Sequence, residues 1–400
     1  MIARDGTLLV VGGGRWARVY LSVIGKTDIP MSKIIVVSRH GGDIVSTSFI
    51  NTNVRSKRLF SQYAKLDDAL AGEDICAAIV VNAARAHART TLSLLERNIP
   101  VLLEKPVALS ADEAERLMDA SSASDVRLMP ALVLRFCDYL QNFERAVRAS
   151  LESIHSISVR WSDPVSEVRH GETKGIDAGI GVVEEIAPHI ATLLAIVTGG
   201  NSHAVDGAEF ARGGLSVVLK GQWNSVAFVV SLERQSIKRE RVVVVRDQNG
   251  SEAELDFSTE PGVITIASVC RSADPDWSQR SSPLTQQLLN FIDTCTGPSV
   301  EADFEAVRYS TAFTVRAAEL VRDAQRRWLR SPDRGEVEAR ERQIALREVL
   351  APILTSAALV EPGDNASLER LSQEIMVMIN GGAAPNHPPE LEGIIRSAGI

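Results

Sequence analysis

The sequence predicts an α/β protein: an N-terminal Rossmann domain with a doubly wound parallel sheet, then an α+β domain with a large, mainly antiparallel open sheet, and a helical C-terminal tail. Three observations carry this. Short Val/Ile/Leu runs alternate with helical stretches through the first third of the chain. From 207 to 268 the pattern is almost all strand, punctuated by glycine turns. Beyond Ser331-Pro332-Asp333-Arg334-Gly335, which reads as a hinge, the chain turns helical. The expected boundaries are 1–135, 136–330 and 331–400.

The apolar runs at 8–11, 34–37, 78–81, 101–103 and 128–134 are too short for helices. Unbroken apolar strands of this kind are buried on both faces, as in a parallel sheet covered by helices. Helices are expected at 16–24, 86–97 and 111–120, the last opening on a capping box of Ser110 and Glu113. The second domain reads as a helix over 138–149, a strand over 154–161, a polar loop over 162–178 and a helix over 183–197. Strands follow at 215–219, 226–232, 241–245, 253–257 and 263–267, with turns at Gly213-Gly214, Asn249-Gly250 and Pro261-Gly262. Helices close the domain at 283–295 and 304–326, and the tail adds helices at 336–350 and 367–379 before a Gly/Pro-rich exit.

Composition narrows the function classes. The chain has 400 residues, 45% hydrophobic and 24% charged, which fits folded domains and excludes a disordered or disulfide-stapled chain. Fifty-one acidic residues against 43 basic ones give a formal net charge of −8, which argues against nucleic acid as partner. Cys76, Cys137, Cys270 and Cys295 form no CxxC pair, which suits a reducing cytoplasm and excludes a zinc ribbon. No apolar run approaches the ~18 residues of a membrane helix. The histidines show no HxxxH or HExxH spacing, so no metal site is expected.

The first apolar run leads directly into Gly12-Gly13-Gly14-Arg15-Trp16-Ala17. Read as GxGxxA, Gly12 allows the tight turn, Gly14 lets backbone approach a pyrophosphate, and Ala17 lets the helix pack close to the strand. The helix N-terminus offers free N–H groups to the phosphates. The second strand is followed by Ser38 and Arg39 instead of the Asp or Glu that accepts from a ribose 2′-hydroxyl. A hydroxyl and a guanidinium suit a 2′-phosphate, so NADP(H) is expected over NAD(H).

The fourth apolar run ends in Glu104-Lys105-Pro106, at the carboxyl end of a strand where open α/β sheets bind ligands. With the glycine turn, His87 opening a helix and Arg135-Phe136 at the domain junction, this string resembles the glucose–fructose oxidoreductase/inositol dehydrogenase/MocA family over roughly residues 5–330. That family also carries Asp-x-x-x-His in its second domain; His189 matches the histidine and Glu185 stands in place of Asp. Asn82-Ala83-Ala84 stands where the family commonly has Thr-Pro. The resemblance implies an NAD(P)-dependent oxidoreductase in which Lys105 binds the reacting oxygen or nitrogen and His189 exchanges the proton. It also implies that Asn82, His87 and Glu104 shape the cofactor site. The residues agree: Glu185 and His189 lie one helical turn apart, and a carboxylate beside a histidine favours the imidazolium.

The expected substrate is a small polar metabolite, sugar- or cyclitol-like, reacting at a carbonyl or alcohol carbon. Reduction of a C=N bond needs the same groups and stays open, as does a non-catalytic NADP(H)-binding regulator that uses the tail to bind a partner. Arg135, and Arg169, His170 and Lys174 in the polar loop, are candidate substrate contacts. The antiparallel sheet has a second face to cover, so a homodimer or homotetramer through it is expected.

Overall fold

The computed structural model describes residues 6–39, 59–165, 167–169, 172–173, 177, 179–331, 336–379 and 390–400. The elements run β1 (Gly6–Val11), α1 (Arg15–Lys26), β2 (Met31–Val37), β3 (Leu59–Tyr63), α2 (Leu66–Gly72), β4 (Ala77–Val80), α3 (His87–Leu95), β5 (Val101–Glu104), α4 (Ala111–Ser124) and β6 (Leu128–Ala131). Then come α5 (Asp138–Ser150), β7 (Ile154–Pro164), the short strands β8 (Val168–Arg169) and β9 (Glu172–Thr173), and α6 (Val182–Thr198). Seven strands follow: β10 (His203–Ala211), β11 (Ser216–Trp223), β12 (Val226–Ser236), β13 (Glu240–Asp247), β14 (Glu252–Asp256), β15 (Val263–Ile266) and β16 (Val269–Ser272). The helices α7 (Pro283–Thr294), α8 (Glu301–Leu329), α9 (Glu336–Ser356), α10 (Asn365–Ile379) and α11 (Leu391–Ala398) complete the chain. Two compact units result: Met1–Cys137 with Val168–Gly175 and Gln279–Thr311, and Asp138–Glu167 with Ile176–Ser278 and Ala312–Ile400.

In the first unit six strands form a wholly parallel sheet in the order β3-β2-β1-β4-β5-β6. Successive residues of each strand face opposite sides, which explains the unbroken apolar runs. Leu8, Val10, Ile34 and Val36 pack with α1 and with Leu284, Leu288 and Phe291 of α7. Leu9, Val11, Ile35 and Val37 pack with α3, α4 and Val307 of α8. Chain order reverses at β1, whose neighbours are β2 and β4, so the turns after β1 and β4 flank the topological switch point. The capping box at α4 forms in part: Ser110 Oγ accepts from Glu113 N, while the Glu113 carboxylate takes the N–H of Leu109, not that of Ser110. The strand expected over 128–134 stops at Ala131, because residues 133–136 wind into a 3₁₀ turn.

The second unit holds an eight-stranded mixed sheet in the order β10-β11-β12-β7-β13-β14-β15-β16. Every neighbouring pair is antiparallel except β12 and β7. One phase of β12 buries Phe228, Val230 and Leu232, and one phase of β7 buries Ile157, Val159 and Trp161. Helix α6 contributes Ile186, Ile190, Leu193 and Val197, all at most 1% exposed, as its apolar stripe requires. Sequence reading missed β3, β8, β9, β10 and β16, and also α2 and α11, the last of which occupies the expected Gly/Pro-rich exit. The tail helices α9, α10 and α11 share a core with Leu329 of α8, built on Leu346, Leu350, Leu354, Leu371, Ile375 and Leu391. The expected hinge at 332–335 lies outside the described residues.

Candidate active site

Gly12 turns the chain out of β1 with φ of +145°, and a Cβ there would sit 2.7 Å from the Val81 carbonyl oxygen. Only glycine fits this approach. Gly14 caps α1 with open space where its Cβ would be, no side-chain cap and no acidic residue in the first turn. Ala17 is fully buried, which brings α1 close against the sheet. The open, uncapped N-terminus beside a close-packed glycine turn fits a dinucleotide pyrophosphate. Ser38, just past β2, is buried and its backbone N–H donates to Tyr63; Arg39 beside it is exposed.

The residues after β4 and β5 are tied together by His87. Its Nδ1 lies 2.8 Å from the Pro106 carbonyl and its Nε2 3.1 Å from the Asn82 carbonyl, with the ring 2% exposed. A neutral ring donates from one nitrogen, whereas a protonated ring donates from both. Asn82 also donates from its amide to Thr90 Oγ1 at 2.9 Å. Lys105, partly buried, is therefore backed by a clamped turn. The preceding Glu104 folds its carboxylate back to accept from the Lys105 backbone N–H at 2.6 Å. Burial pushes the Glu104 carboxyl up to about 7, against the opposing pull of the Lys105 and Arg15 charges. Arg15 thus links the glycine turn electrostatically to the strand end that carries Lys105.

In the second unit Pro188 sits inside α6, so the Glu184 carbonyl lacks its usual backbone donor one turn before His189. The His189 ring stacks on Trp161 of β7, with centroids 5.3 Å apart and planes inclined by 14°. The Arg241 guanidinium carbon lies 3.9 Å from the Trp161 ring centre, a cation–π contact. Arg241 is ion-paired with Asp163, and burial lowers its pKa to about 10. Glu185, expected beside His189, engages Arg234 at 2.7 Å, and Arg234 also donates to the Ile180 carbonyl at 3.2 Å.

Other sequence candidates fall elsewhere. Arg135 is ion-paired with Asp303 at 2.8 Å, a carboxylate it shares with Arg127. His170, Lys174 and the Arg169 side chain lie outside the described residues. Trp161, Arg234 and Arg241 were missed, yet two of them carried a signal. Arg234 continues the buried phase of Phe228, Val230 and Leu232, and Trp161 that of Ile157 and Val159. A charge or an indole in line with a core stripe marks a strand end where polar chemistry enters the core.

A parallel sheet with a glycine turn at its switch point, carrying a lysine at a neighbouring strand end, defines a dinucleotide-binding α/β protein. Residues 7–132 match the GFO_IDH_MocA model, the oxidoreductase family with an NAD-binding Rossmann fold. No curated protein matches the chain. Among solved structures, UDP-N-acetylglucosamine 3-dehydrogenase GnnA from Acidithiobacillus ferrooxidans is 16% identical with a TM-score of 0.61, covering 80% of this chain and 98% of its own. KijD10, a 3-ketoreductase from Actinomadura kijaniata in complex with TDP-benzene and NADP, is 13% identical with a TM-score of 0.62, covering 78% and 96%. D-galactose-1-dehydrogenase from Rhizobium etli is 16% identical with a TM-score of 0.59, covering 79% and 96%. At these identities the likeness is one of fold.

Proposed function

We propose that the chain is an NAD(P)-dependent oxidoreductase acting at a carbonyl or alcohol carbon of a small polar, sugar-like metabolite, with NADP(H) preferred. The observation that carries this reading is Lys105, held by Glu104 and the His87 clamp at the carboxyl edge of the sheet, beside a glycine turn that fits a pyrophosphate. The sugar-directed names of the structural neighbours support the substrate class.

Gly12, Gly14, Arg15, Trp16 and Ala17 would hold the dinucleotide at the turn, with Ser38 and Arg39 at its ribose and Asn82, His87 and Glu104 shaping the site toward Lys105. A bound nicotinamide supplies or takes up the hydride. The Lys105 ammonium donates to the reacting oxygen and stabilises the charge that builds there. His189 gives or takes the accompanying proton, and its ring is kept in one plane by Trp161.

The test is turnover by the purified chain with NADPH or NADP⁺ across a panel of sugars and nucleotide sugars, followed by nicotinamide absorbance. Turnover is expected with a member of the panel. Lys105→Ala should lower kcat/KM at least about a hundredfold, and His189→Gln by about 10²–10⁴. Tight NADPH binding with no turnover on any member overturns the reading in favour of a regulator, and full activity in Lys105→Ala removes Lys105 from the chemistry.

A further inference from the structure

The tail is seated on the second unit through a glycine pair. Gly213 and Gly214 have φ of +71° and +117°; a Cβ on the first would strike the Glu341 backbone carbonyl of α9, and one on the second would strike Gln325 and Glu348. This seat lets Glu348 of α9 enter the core, where it is 8% exposed. Its Oε2 accepts from Gln325 Nε2 at 2.7 Å and lies 3.3 Å from where a Cβ on Gly181, the cap residue of α6, would stand. Gln325 also donates to the Gly213 carbonyl at 3.1 Å, which joins the seat to the carboxylate.

The start of α6 is crowded with charge. Glu184 accepts from the Gly181 N–H at 2.8 Å and is ion-paired with Arg322 of α8. Glu185 is paired with Arg234 of β12, which lies within electrostatic reach of Glu348. Three carboxylates, Glu184, Glu185 and Glu348, thus face two guanidiniums, Arg234 and Arg322, at the head of the helix that carries His189.

We propose that Glu348 is a positioning residue for His189: the tail seats its carboxylate against Gly181 at the head of α6, beside the Ile180 carbonyl that Arg234 engages, and Arg234 holds Glu185 one turn before the histidine. This rests on the reading of His189 as the proton relay. Burial raises the Glu348 carboxyl, Arg234 and Gln325 oppose the rise, Glu184 adds to it, and Arg347 on its own helix opposes it. Among the described residues, the charged groups on the elements around His189 include Glu185, paired with Arg234, and Arg241, which lies over the Trp161 ring and pairs with Asp163. Loss of the Glu348 charge leaves Arg234 to neutralise Glu185 alone, so the field at His189 becomes less negative and its imidazolium less favoured.

The experiment is an NMR titration of the full chain labelled with ¹⁵N-histidine, with the His189 signal assigned by its loss in His189→Gln. Glu348→Gln should lower the His189 titration midpoint by about half a pH unit. His203, stacked on Trp223 in the same unit, should titrate as before and report an intact fold. If Glu348→Gln does not fold, Gln325→Met decides: it removes the donor that favours ionised Glu348 and should shift His189 in the same direction. A His189 curve that superimposes on that of the unmodified chain, with His203 unchanged, overturns the proposal. The turnover of His189→Gln tests the catalytic reading separately, because the shift needs no substrate.

Discussion

Glu104 ends a buried strand with its carboxylate turned back on the next backbone N–H, and this makes it a pH-sensitive group beside Lys105. Its folded pKa of about 7 lies above the ordinary value of 4.5. The folded chain therefore keeps this proton across that window while the unfolded chain loses it, and stability falls as pH rises through 7. Glu104→Gln should gain up to about 3 kcal/mol over the unmodified chain at pH 8, with the gain vanishing toward pH 4.5; urea unfolding at several pH values measures it. A gain that does not change with pH would show that Glu104 ionises normally. Arg39 makes a different claim. If it reads a 2′-phosphate, Arg39→Ala should lower the ratio of kcat/KM for NADPH over NADH about ten- to hundredfold, and an unchanged ratio removes the preference. At this scale the candidate site was legible where its residues are local in the chain. The glycine turn, Lys105 and His189 sit in contiguous strings, whereas Arg234, Trp161 and Glu348 meet His189's helix only through tertiary packing, far apart in the chain.

Elements were legible in proportion to their burial. The interior strands of the first sheet stand out as apolar runs because both of their faces are covered. The five strands missed by sequence, β3, β8, β9, β10 and β16, each form an edge of a sheet. An edge strand meets fewer apolar neighbours, and β16 is exposed along its whole length, so no hydrophobic pattern is written into it. The tail helices show the opposite case, a clear helical pattern whose purpose is invisible until packing is seen. Their core, and the seat of α9 on Gly213 and Gly214, make them part of the second unit's fold. Truncation after Arg330 would uncover Leu329 and strip the apolar partners from α8. The expected outcome is a drop of about 10 °C or more in the midpoint of thermal unfolding followed by circular dichroism, or insoluble expression. A midpoint within about two degrees of the full chain would show the tail to be an appendage.

Across the whole molecule, the structural neighbours cover about four fifths of this chain while being covered almost entirely themselves. The chain thus adds material to a shared fold. On the exposed phase of β12, Val229 is 43% exposed. The first unit's core has a further consequence, set by the direction in which a chain is made. Leu284, Leu288 and Phe291 of α7 complete the apolar face that begins with Leu8 and Val10. A ribosome that has finished the last strand of the parallel sheet must still add some 150 residues before those side chains exist. At typical synthesis rates the interval is on the order of ten seconds, during which the face of the nascent sheet that α7 covers stays incomplete. The N-terminal domain is therefore not a module that can close as it emerges: its covering helix α7 arrives only after the antiparallel sheet has been made.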